Sequence, residues 1–96
     1  MPAISRVSKD KHIGHAGPSR PYHQTPYAEG STNVFVNGAA AVRLGDKTAC
    51  GDPTTSASST VFVNGIGVHR QGDSTGGHDG WVPNSSASGS PNVFAG

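Results

Sequence analysis

The sequence predicts a small all-β protein in which three β-hairpin units close into a ring with pseudo-threefold symmetry. Three observations lead there. Val34-Phe35-Val36-Asn37-Gly38 returns intact at Val61-Phe62-Val63-Asn64-Gly65, and a shorter echo stands at Asn92-Val93-Phe94-Ala95-Gly96. Both full copies run β-branched and aromatic residues into Asn-Gly, the hairpin dipeptide in which both residues tolerate positive φ. No stretch spaces its apolar residues helically, while Gly, Ser, Pro and Thr crowd the segments between the candidate strands.

Taken in order, Ile4-Ser5-Arg6-Val7-Ser8-Lys9-Asp10 has the form of the second half of a unit. The first complete unit opens at Gly30-Ser31-Thr32-Asn33, passes through the pentapeptide and continues through Val42-Arg43-Leu44-Gly45-Asp46 into a polar loop. The second opens at Ser58-Ser59-Thr60 and continues through Ile66-Gly67-Val68-His69-Arg70-Gln71-Gly72-Asp73. Residues 89–96 are a first half only. Joining the two ends completes a third unit, so the segment around Asn92-Val93-Phe94 is expected to pair with Ile4 to Val7. The expected organisation is one domain over 1–96, with units at approximately 30–56, 57–88, and 89–96 joined with 1–29.

A chain of 96 residues, 32% of them apolar, can bury only a thin core, and small polar domains need a staple. Cys50 is the single cysteine, so no intramolecular disulfide supplies it and a metal ion is the remaining candidate. Such a composition alone would also suit a disordered chain, but the register of the repeat argues for a fold. Seven basic and six acidic residues lie scattered, giving a formal charge of +1 and no footprint for nucleic acid. Met1 to Arg6 lack the apolar core of a signal peptide, and no run reaches membrane-spanning length. The chain is therefore expected to be made in the cytoplasm and to leave it, if at all, by another route.

Aligned on Asp10, Asp46 and Asp73, the loops place His15 five residues on, Cys50 four and His78 five. Pseudo-symmetry would bring the three to one point on the axis. Aligned on the following strand, His23 and Cys50 each precede the equivalent residues Gly30 and Ala57 by seven. Three imidazoles and a thiolate complete a tetrahedral zinc site with no position open to substrate, which makes the expected role structural. Iron accepts the same ligand types. A lone loop histidine is ordinarily solvated; joint placement singles out His15, Cys50 and His78. For the fourth ligand His23 competes with His69, which lies just before Gly72-Asp73. His12, between Lys9 and Lys11 and without a counterpart, reads as a surface residue.

Other side chains have simpler readings. Cys50 lacks a helix N-terminus that would make it a nucleophile. Asp46 and Asp73 each follow a glycine in a repeated turn and are expected to accept their own loop's N–H groups rather than form a catalytic pair. Trp81 is expected to cover the apex or to meet a partner.

The repeated Val-Phe-Val-Asn-Gly segments, Val42-Arg43-Leu44-Gly45-Asp46, His69-Arg70-Gln71-Gly72-Asp73 and the closing Gly89-Ser90-Pro91-Asn92-Val93-Phe94-Ala95-Gly96 resemble the PAAR-repeat family over essentially the whole chain. The Pro-Ala-Ala-Arg segment that names the family is degenerate here, as Ala40-Ala41-Val42-Arg43 and Gly67-Val68-His69-Arg70. The resemblance implies a small cone of three hairpin units with one structural metal ion near its vertex, held by three histidines and a cysteine. It also implies a partner: a trimeric β-helical spike, either VgrG of type VI secretion or the central spike of a contractile phage tail. The chain would sit on it as a monomer, located at a virion tail tip or secreted by the type VI machinery, and touch the target envelope transiently. Val34, Val36, Val61, Val63 and Phe94 are the candidate spike contacts. With repeats from end to end, the chain is expected to be a tip without an effector extension, which leans towards a phage.

Two other functions fit the sequence less well. A metal-dependent hydrolase would need an open coordination position and a general base, for which Asp79 beside His78 is the only neighbour. A receptor-binding tip would use Trp81 with Tyr22 or Tyr27.

Overall fold

A computed structural model describes residues 2–96. It is all-β, with no helix among the described residues, and measures 37 × 23 × 22 Å, so that its two minor axes are nearly equal. Eight short strands form four antiparallel hairpins: β1 (His15–Gly17) with β2 (Arg20–His23), β3 (Phe35–Val36) with β4 (Ala39–Ala40), β5 (Phe62–Val63) with β6 (Ile66–Gly67), and β7 (Ser74–Thr75) with β8 (Asn84–Ser85).

The β3–β4 and β5–β6 hairpins are the two complete repeats. Asn37 and Gly38 turn the first at φ 53° and 80°, and Asn64 and Gly65 turn the second at 57° and 76°. These are the left-handed values that an Asn-Gly hairpin turn needs.

Beyond each hairpin the chain crosses to the next unit and a closed triangle of main-chain bonds forms. Ser5 N–H donates to His69 C=O (3.0 Å), His69 N–H to Val42 C=O (2.9 Å) and Val42 N–H to Ser5 C=O (3.1 Å). A second tier repeats the rotation: Val7 to Ala40, Leu44 to Gly67 and Gln71 to Ala3, at 2.8–2.9 Å. These bonds and isolated bridges join the two-stranded hairpins into one ring. The ends close as expected, through Ile4 N–H to Val93 C=O and Ala95 N–H to Pro2 C=O.

The core follows the same symmetry. Ile4, Ala41 and Val68 form one apolar triad and Val36, Val63 and Ala95 a second, with Val61 and Val93 packed on them. Strand alternation puts the preceding aromatic residue outside: Phe35, Phe62 and Phe94 are 60%, 59% and 48% exposed. The expected spike contacts Val36 and Val63 are therefore corrected. Both lie in the core, and the phenylalanines beside them carry the exposed apolar surface.

At the hairpin ends each unit is tied to the next through a serine. Ser31 Oγ bonds Asn64 Oδ1 (2.7 Å), Ser90 Oγ bonds Asn37 Oδ1, and Ser58 Oγ bonds the Gly96 carbonyl, which stands where the other units have an asparagine. The same hydroxyls accept N–H groups of Val34, Val93 and Val61, each at 2.9 Å. At the other end of each strand an arginine closes a turn with an aspartate: Arg6–Asp10 (2.7 Å), Arg43–Asp46 (3.0 Å) and Arg70–Asp73 (2.8 Å). Each carboxylate also accepts its arginine's own main-chain N–H, as the repeated turn implied.

Candidate metal centre

After the aspartates the symmetry lapses. The turns realign where Tyr27, Thr54 and Ser86 donate their N–H groups to Asp10, Asp46 and Asp73, so the intervening loops are 11–26, 47–53 and 74–85. These unequal loops form the apex.

The first loop folds on itself as the β1–β2 hairpin, whose register sets His15 opposite His23. Residues directly opposite on paired strands have Cβ atoms about 4.5–5.5 Å apart, so one loop can supply two converging imidazoles. The second is a tight turn in which Asp52 N–H donates to Thr48 Oγ1 and Thr48 Oγ1 lies 3.2 Å from Cys50 Sγ. In the third, His78 and Trp81 exchange main-chain bonds around Asp79 and Gly80, both at positive φ.

The ligand atoms of His15, His23, Cys50 and His78 all lie within 4.8 Å of one another. His15 Nε2 is 2.7 Å from His23 Nε2, 3.2 Å from His78 Nε2 and 3.8 Å from Cys50 Sγ. Ligand atoms around a tetrahedral zinc ion stand about 3.3–3.6 Å apart, given bonds near 2.0–2.3 Å. His15 Nδ1–H donates to Val82 C=O at 2.8 Å, which leaves Nε2 as a bare lone pair facing the other three donors. Loss of water and the neighbouring His15 and His78 push the His23 imidazole below its ordinary range, towards the neutral form that binds a cation. Three imidazoles and a cysteine drawn this close together could hold one shared metal ion.

Trp81 roofs the cluster. Its ring stacks on His23 (centroids 4.5 Å apart, 15° between planes) and on His78 (5.0 Å, 22°). Its indole N–H donates to Pro21 C=O at 2.8 Å, and Arg20 lies over its face at 5.4 Å. Gly17 passes so close to the Gly80 carbonyl that no Cβ would fit between hairpin and turn.

His69 stands apart from the four. It is buried beside the axis, where Nε2 meets the Tyr27 hydroxyl at 2.8 Å and Nδ1 donates to Ser56 C=O at 2.8 Å. Burial lowers its pKa and raises that of Tyr27. Tyr27 is thus core, while Tyr22 is exposed and hands its hydroxyl to Ile13 C=O. Asp79 is 87% exposed in its turn, 3.6 Å from His78 Nδ1.

His12 corrects the sequence reading: it is 0% exposed, not a surface residue. Its Nε2 accepts Thr25 N–H at 3.0 Å and its Nδ1 donates to Asn84 Oδ1 at 2.9 Å. Burial pulls its pKa down. Asp52 and Asn84, which the repeat did not single out, are the other members of this polar cluster; Asp52 Oδ2 lies 3.7 Å from Nδ1 of both His12 and His15. The only available signal was an acidic residue two positions after the cysteine.

A family model described as the PAAR motif matches residues 7–56, slightly more than half of the chain. No curated protein matches the chain significantly.

Proposed function

The chain belongs to the PAAR-motif family, and from that premise we propose that it is the metal-stapled tip of a trimeric β-helical spike in a contractile injection machine. The observation that carries the reading is the exposed set Phe35, Phe62 and Phe94, three large apolar side chains at equivalent positions of a pseudo-threefold body. A trimeric β-helix ends in exposed strand edges. A monomer whose three units repeat one surface can meet all three spike chains at once, and exposed aromatic residues are the side chains that most often anchor such contacts. The repeat units proposed for this arrangement are 30–56, 57–88, and 89–96 with 1–29, in one domain.

At the other end His15, His23, Cys50 and His78 would hold one zinc or iron ion. When bound, the ion supplies a cross-link between three loops and, with four protein ligands, no open position for substrate. The role proposed for it is structural rather than catalytic. His15 Nδ1–H on Val82 C=O orients one ligand, and Trp81 shields two others from water. An apex tied in this way transmits an axial load instead of yielding loop by loop. A phage tail and a type VI apparatus offer the same threefold platform, and the chain fits either.

The test is a binding assay with candidate trimeric spikes. Serine at Phe35, Phe62 and Phe94 together should abolish attachment and leave metal content at one ion per chain. Serine at Cys50 should remove the ion, preserve attachment and reduce delivery. Attachment that survives the triple substitution would sink this assignment of the docking surface.

A further inference from the structure

We propose that Asp52 is a positioning residue for the metal centre, fixing the spacing of ligands drawn from three loops. The inference rests on the metal reading above and concerns side chains outside the ligand set.

The Asp52 carboxylate is fully buried and both oxygens are engaged. Oδ1 accepts Gly77 N–H and Oδ2 accepts Asn84 Nδ2, each at 2.7 Å. Gly77 immediately precedes His78, and Asp52 itself follows Cys50 by two residues. One carboxylate therefore binds the cysteine loop to the backbone beside a ligand of the third loop. It also faces the first loop, where His12 and His15 present Nδ1 at 3.7 Å.

Apart from the 3.2 Å approach of Asn84 Nδ2 to His15 Nδ1, both of which donate elsewhere, the hydrogen bonds around it have one consistent polarity. Asn84 gives its amide hydrogens to Asp52 and to Thr75 Oγ1 (2.8 Å), and with Oδ1 accepts from His12 Nδ1 (2.9 Å) and Gly14 N–H (3.2 Å). His12, having given up its Nδ1 hydrogen, accepts Thr25 N–H at Nε2. Reversing any member sets donor against donor. An amide at position 52 offers one acceptor where two donors point, so either Gly77 N–H or the Asn84 amide loses its partner. Turning Asn84 over moves the conflict to His12 and Gly14, and changing the His12 tautomer moves it to Thr25. A chain that tolerates only a carboxylate at its origin assigns Asp52 to more than filling space.

His12, His15 and Asp52 also stand close enough together to resemble a second cation site. The committed ring nitrogens of His12 and the His15 Nδ1–H on Val82 C=O make them supports of the first site instead.

The experiment is chelator competition on the full-length, zinc-loaded protein, wild type against Asp52→Asn, with the cobalt-substituted spectrum and thermal unfolding of metal-free and loaded forms. Loss of a supporting partner of this kind weakens metal binding about 10- to 100-fold. The cobalt–thiolate absorption should persist in Asp52→Asn, because Cys50 remains. Affinity within about twofold of wild type, with metal-free and loaded forms destabilised equally, would overturn the proposal and leave Asp52 a purely structural residue. Should Asp52→Asn not fold, Thr75→Val decides the matter. It removes one acceptor from Asn84 and is expected to weaken binding about two- to tenfold, the net worth of one neutral hydrogen bond; unchanged affinity overturns the proposal. A folded wild-type protein that binds no zinc at all refutes the metal reading itself, and this inference with it.

Discussion

The strand body and the apex are built on opposite principles. In the body most stabilising contacts occur in threes: the main-chain triangle of residues 5, 42 and 69, the two apolar triads, the serine ties and the arginine–aspartate turns, with the buried Tyr27–His69 pair an exception. In the apex almost nothing repeats. Three loops of different length meet around polar side chains, and each of His12, Asp52, Asn84 and Trp81 occurs once. Periodic main-chain pairing can bury a thin core without help, whereas the apex depends on a network that functions only when complete.

Metal removal should divide the two regions most sharply. Structural zinc sites are worth on the order of 10 kcal/mol. Chelation, or Cys50→Ser, is expected to abolish amide-exchange protection in 12–25, 47–53 and 74–85 while the triangle around residues 5, 42 and 69 stays protected. Loss of both together would show that body and apex fold as one unit.

Ile4→Ala attacks the other side. Truncating this buried side chain should cost about 2–5 kcal/mol in denaturant unfolding, with metal affinity unchanged. A parallel fall in affinity would mean that the apex senses the core.

Acid should weaken the body through His69, whose folded-state pKa is depressed by burial. Above about pH 6.5 the residue is neutral in both states and contributes no slope. Below that the unfolded chain takes up a proton that the folded one refuses, so stability falls with pH, by at most about 1.4 kcal/mol per unit, until the lower folded pKa is reached. Urea titrations of metal-free protein from pH 8 to 5 would expose this, and flat stability across that range would contradict it.

Trp81→Ala removes the roof but no ligand. Stacked pairs contribute about 0.5–1.5 kcal/mol each, so the loaded protein should lose about 1–3 kcal/mol and release zinc faster, with stoichiometry retained. The smallest effect is expected at Arg43→Ala. Its partly exposed pair with Asp46 is worth about 1 kcal/mol or less, and Arg6→Ala and Arg70→Ala should match it in thermal unfolding if the symmetry is energetic as well as geometric.

The same division governs what could be read from the sequence. Repeats print themselves on a chain, so the hairpins, the joined ends and the aspartate turns were legible, as was the loop alignment that picked out His15, Cys50 and His78. His23 needed a second alignment, and its pairing with His15 across the hairpin, with His69 held instead by Tyr27, is visible only in three dimensions. Alternation showed that Val36 and Phe35 face opposite ways but not which way was in. His12 was misread because its neighbours are lysines, whereas its partners Thr25, Cys50 and Asn84 come from elsewhere along the chain. Side chains that answer to non-local, unrepeated partners leave no periodic trace.

The closed triangle has a consequence in time. Its three bonds join residues 5, 42 and 69, and the adjoining strand pairs Ile4 with Val93. During synthesis, at roughly 5–20 residues per second, residues 4–7 can meet Ala40 and Val42 early, but their bond to Val93 must wait several seconds more. Ring closure is thus a late, long-range step of the kind that makes β proteins slow to fold.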